Sequence, residues 1–111
     1  MTEVKGVSQK SLSEKVLISA KISEDENMTE YMYLIKDEDI NEYYLIETFS
    51  GWKQITETEK TWDLLLSFKY YVKKDVVPLI YFILSTNPTQ LHDIFGFLHD
   101  NRFIMIEQDE Q

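Results

Sequence analysis

The chain contains no cysteine, and only three glycines, two prolines and one arginine in 111 residues. Each scarcity excludes something. Without cysteine there is neither a disulfide framework nor a thiolate metal site, a composition that suits a reducing cytoplasm. Gly6, Gly51 and Gly96 are isolated, so no glycine-rich loop can cradle a phosphate. The longest apolar run, VVPLIYFIL at 76–84, is far short of the roughly 20 residues that span a bilayer. The N-terminal MTEVKGVSQKSLSEK lacks the apolar core of a signal peptide. A cytoplasmic protein with no membrane partner is expected.

Chemistry-bearing residues are equally sparse. His92 and His99 share a helix face but stand about 10 Å apart along its axis, too far for two ligands to one metal. Asp93 and Asp100 repeat that spacing on what reads as the wet face of the helix. No serine sits in a nucleophile-elbow pattern. No catalytic residue, metal ligand or cofactor is assigned, and an enzyme is not expected.

What the chain does have is negative charge. Twenty acidic residues against eleven basic ones give a net charge of −9. Free nucleic acid and anionic membrane would be repelled, whereas a basic protein surface would be attracted. The charge is uneven: residues 1–50 carry −6, residues 51–102 are neutral, and 103–111 add −3. Solubility alone also favours an acidic surface.

At this length one domain is expected, spanning 14–111 behind a loose N-terminal arm at 1–13. KVLISAKIS (15–23), MTEYMYLIK (28–36) and EYYLIETFS (42–50) read as three strands joined by polar turns, an antiparallel meander. Gly51 breaks the pattern. Thr56-x-x-Glu59 has capping-box spacing, and TWDLLLSFKYYVKK then reads as a helix from near Thr58 to Lys74, apolar at Trp62, Leu65, Leu66, Phe68, Tyr71 and Val72. VVPLIYFILS (76–85) reads as a buried strand, with a short helix as the rival. Asn87-Pro88-Thr89-Gln90 is a strong helix start, with Asn87 as cap, and that helix extends to about Asp100. Arg102 follows as compensation of its dipole. FIMIE (103–107) is a last strand, pairing in parallel with 76–85 by a right-handed crossover. The expected class is α+β: an antiparallel β-meander followed by α-β-α-β, four to five strands with two helices packed on one face.

The charge concentrates at 24–47, where nine carboxylates and four tyrosines occur in 24 residues. Both alternating sets of the second strand are rich in large apolar groups, so one side must show tyrosine or methionine outward. Exposed aromatics beside charge are typical of an interface. The expected contact residues are Glu24, Asp25, Glu26, Glu30, Asp37, Glu38, Asp39 and Glu42, with Tyr31 and Tyr33 as anchors. The expected function is a small protein-binding inhibitor that occludes the basic surface of a nucleic-acid-processing protein, such as a nuclease, by imitating DNA charge. Such anti-defence inhibitors suit phages and mobile elements. An immunity protein or antitoxin that neutralises a toxin enzyme is the alternative on the same surface. A structural protein that self-associates as a homodimer through the tyrosine face belongs to a different class.

Overall fold

A computed structural model describes residues 13–107. The arm at 1–13, Ser13 apart, and the tail at 108–111 lie outside the described residues. The elements are β1 (Glu14–Glu24), β2 (Met28–Asp37), β3 (Glu42–Gln54), β4 (Lys60–Val72), a 3-10 turn at Lys74–Val76, α1 (Val77–Thr86), α2 (Pro88–Asp100) and β5 (Ile104–Ile106). The five strands form one antiparallel sheet in the order β1-β2-β3-β4-β5. The α+β class, the antiparallel meander and the number of helices therefore stand as expected.

Two elements exchange identity. The stretch 60–72 is a strand, not a helix. Its aromatic and β-branched residues suit a pleated surface, and β3 offers it an antiparallel ladder from Tyr43↔Val72 to Gln54↔Lys60. The capping signal has a different use. The Thr56 hydroxyl accepts hydrogen bonds from the N–H groups of Thr58 (3.3 Å) and Glu59 (3.1 Å), which closes the β3–β4 hairpin loop. Conversely, 77–86 is helical. Pro78 lies in its first turn, where its missing N–H has no intrahelical partner to lose. With both segments exchanged, β5 pairs antiparallel with β4, and the parallel crossover does not exist.

The start of α2 is as expected, but the Asn87 side chain makes no cap bond; the main-chain carbonyl of Asn87 accepts from the Gln90 N–H at 2.9 Å instead. Arg102 lies at φ 63°, in the left-handed region, and ends the helix while the Phe103 N–H reaches the Leu98 carbonyl.

The register assigns the faces. Met32, Leu34, Leu45, Tyr70, Val72 and Ile104 point to one side of the sheet. There they form a core with Ile80, Ile83 and Leu84 of α1 and Leu91 and Leu98 of α2. Both helices cover this face. Gly51 does not end β3; it pairs with Met28 and Asp63 inside the sheet. A Cβ there would lie 2.7 Å from the Asn27 carbonyl oxygen, so glycine admits the β1–β2 turn against β3.

Candidate interaction surface

Along β2, Tyr31, Tyr33, Ile35 and Asp37 alternate onto the face turned away from the helices. Tyr31 and Tyr33 stack, with ring centroids 6.1 Å apart. Asp37 is directly opposite Glu14 on β1 and Glu42 on β3. Three carboxylates thus form a row across three adjacent strands, on the same face as the tyrosine pair. Glu38 and Asp39 continue the acidic surface around the turn. Asp37 also shapes that turn, since its Oδ1 accepts from the Asp39 N–H at 3.0 Å.

Lys69 lies against this row. Its ammonium stands 4.4 Å from the Tyr44 ring centroid, 3.2 Å from Glu14 and 3.7 Å from Glu107. One side chain on β4 therefore reaches β1, two strands beyond its neighbour, which requires this end of the sheet to curl. Tyr71, opposite Tyr44, bonds Glu42, and that carboxylate holds the phenol above its ordinary pKa. The Tyr44 phenol is also pushed up, first by burial and then by the surrounding carboxylates Glu107, Glu42 and Asp37, against the opposing pull of Lys69. Glu14, Lys69, Tyr71 and Glu107 belong to this surface, with Tyr44, 8% exposed, buried beneath them, although none was among the expected contacts. They come to it through register and curl, which no short sequence pattern encodes.

The expected contacts divide. Asp37, Glu38, Asp39 and Glu42 gather at one end of β2, while Tyr33 and Tyr31 lie on the open face towards its middle, roughly 13 and 20 Å from Asp37 at 3.3 Å per residue. Glu24 ends β1, and Asp25 and Glu26 occupy the β1–β2 turn, at the other end of β2, roughly 30 Å away at 3.3 Å per residue. Two of those acids have local uses: Glu24 pairs with Lys21 at 2.7 Å, and Asp25 accepts from the N–H groups of Asn27 and Met28. The Glu26 carbonyl accepts from the Trp52 indole at 3.1 Å.

Glu30 is a correction. It turns to the helix face and is 4% exposed, so it cannot meet a partner. It lies beside Glu47, 9% exposed, and the two carboxyls are hydrogen-bonded. The Ser23 hydroxyl donates to Glu30 Oε1 (3.5 Å) and the Tyr70 hydroxyl to Glu47 Oε1 (3.4 Å), while Glu30 Oε2 has no partner among the described residues. Burial, then the hydrogen bond to Glu30 and the charge of Glu30, push Glu47 up to about 7. Burial and the adjacent Glu47 push Tyr70 to about 12. This is an acid pair, but one enclosed by core residues rather than presented to a substrate.

Among the described residues, no group of three or more histidine, cysteine, aspartate or glutamate side chains is arranged to hold a metal ion. No described helix is long and apolar enough to cross a membrane. No protein-family model, curated protein or solved structure matches the chain.

Proposed function

We propose that the protein is a small acidic inhibitor that binds and occludes the basic surface of a nucleic-acid-processing protein, with a nuclease as the favoured class of target. One observation supports this reading above the others: the Glu14–Asp37–Glu42 row, on the same face of the sheet as the stacked Tyr31 and Tyr33. Like charges directly opposite one another in a sheet destabilise it. Here they sit side by side on a face that no described helix covers. Adjacent strands are about 4.8 Å apart, so the row presents charge at a density within a factor of two of one DNA strand, with about 3.4 Å per phosphate.

A lysine- or arginine-rich surface would relieve that repulsion on binding. The carboxylates would accelerate encounter and fix orientation, and the two tyrosines would contribute most of the affinity. The surface is the β2–β3 end of the open face, not a track along the whole of β2.

The test is capture from lysate with the tagged protein, followed by salt washes and mass spectrometry of the bound proteins. The expected result is a stoichiometric basic nucleic-acid-binding protein that salt releases. A triple reversal, Asp37→Lys with Glu38→Lys and Asp39→Lys, should abolish capture, and Tyr31→Ala should weaken it at every salt concentration. A partner indifferent to salt and to the triple reversal would overturn the proposal. Specific capture of a cognate toxin enzyme would assign the same surface to an immunity protein.

A further inference from the structure

We infer that Ser23, Glu30, Glu47 and Tyr70 form a binding site for one divalent cation of calcium's size, on the helix-covered face of the sheet. The observations are separate from those behind the acidic surface, which lies on the other face. Each of the four residues comes from a different strand. Ser23 on β1 is opposite Glu30 on β2. Glu47 on β3 is opposite Met32, and Tyr70 on β4 is opposite Leu45, so each stands one diagonal step from the group before it. Their contacts form an unbroken chain from Ser23 to Glu30, Glu47 and Tyr70. The two carboxyls sit at its centre, with one hydroxyl at each end. Calcium is held by such mixtures of carboxylate and neutral oxygen, with water completing its shell.

An orphaned atom points to a ligand at the centre. Glu30 is 4% exposed, and Oε2 of the carboxyl that meets Glu47 is buried with no hydrogen-bond partner among the described residues. Buried carboxylates are ordinarily paired, hydrogen-bonded or bound to a metal. No salt bridge among the described residues reaches either Glu30 or Glu47. A proton on Glu47 removes one of the two charges. A divalent cation between the carboxyls balances both and gives Oε2 a partner.

The spacing selects the size of the ion. The hydroxyl–carboxyl distances are 3.5 Å at Ser23 and 3.4 Å at Tyr70, longer than the about 2.5–3.0 Å of a good O–H···O bond. They match the about 3.4 Å between neighbouring ligands of an octahedron with metal–oxygen bonds of about 2.4 Å, and exceed the about 2.9 Å around magnesium. Ser23 is exposed and opens the β1 side of the cluster to solvent. At the other end, Phe95 of α2 packs edge-on against the Tyr70 ring at 4.9 Å.

The experiment is a thermal melt of the full-length chain, followed by circular dichroism, in calcium chloride or magnesium chloride at matched ionic strength, at pH 8 and at pH 5.5. At pH 8 calcium should raise the melting temperature, by about 5 °C at ten times its dissociation constant, and magnesium should raise it less. The titratable groups that act on Glu47 are Glu30 from β2 and Tyr70 from β4. At pH 5.5 the calcium shift should shrink, because protons then compete with the metal for the carboxyl pair. Glu30→Gln and Glu47→Gln should each fold and lose the calcium shift, whereas Asp37→Asn, on the opposite face, should keep it. A wild-type melt that ignores calcium up to about 10 mM, above the weakest ordinary calcium sites, would overturn the inference. So would a shift that survives both glutamine variants, disappears in Asp37→Asn, or is reproduced in full by magnesium, since each assigns the effect to the acidic surface.

Discussion

Glu47 shows how one buried group sets a pH dependence for the whole fold. Its carboxyl is held neutral up to about 7, against an ordinary 4.5. Between those values the folded chain binds more protons than the unfolded one, so stability falls as pH rises through that interval and levels off above it. At about 1.4 kcal/mol per pH unit, the loss is about 3 kcal/mol at most. Urea denaturation from pH 4.5 to 8 should show this decline in the wild type. Glu47→Gln should flatten it, and an equal slope in that variant would assign the effect elsewhere. Little in the residue pattern warns of this site. Glu30 and Glu47 read as members of one acidic surface, and only the pairing of β2 with β3 places them on the helix face.

At the scale of the element, two glycines behave oppositely. Gly96 lies within α2, and a Cβ added there would meet nothing within 4 Å, so Gly96→Ala should raise stability by about 0.5–1 kcal/mol. Gly51 lies in β3, where an added Cβ would meet a backbone oxygen at 2.7 Å and Leu65 Cδ1 at 2.9 Å, so Gly51→Ala should cost about 1–3 kcal/mol. Thermal melts of both variants decide the matter, and shifts of the same sign would contradict the packing described. Elements were legible where local chemistry and tertiary context agreed. The first three strands and the helix after Asn87 carry their own turn and start signals. The stretch 60–72 does not, because Leu64, Leu65 and Leu66 interrupt its alternation at the point where the ladder shifts register between Phe49 and Ser50. Its residues read as a helical face, and the Thr56 loop strengthened that reading. The partner strand overrides it with hydrogen bonds that no local pattern contains.

Across the whole molecule, the acidic row sets stability against binding. Asp37 stands between Glu14 and Glu42. Asp37→Asn retains an oxygen to accept from the Asp39 N–H and removes the middle charge. It should therefore raise stability by about 0.2–1 kcal/mol in low salt, and the gain should shrink as salt screens the row. The same variant should bind a basic partner less well. Denaturation with and without added salt measures the first effect, and a loss of stability at low salt would show that the row is not a source of strain.

The lysine clasp at this end has a further consequence for chain connectivity. Lys69 lies within 4 Å of both Glu14 and Glu107, near the two limits of the described chain. The first and last strands therefore begin and finish within the reach of a few side chains, although β1 and β5 are opposite edges of the sheet. A short peptide can join those limits into a ring, and the chain can be reopened at the exposed 55–59 loop. The order of the strands in space would be unchanged, while their order in synthesis would be rotated, so that β4 would be made first.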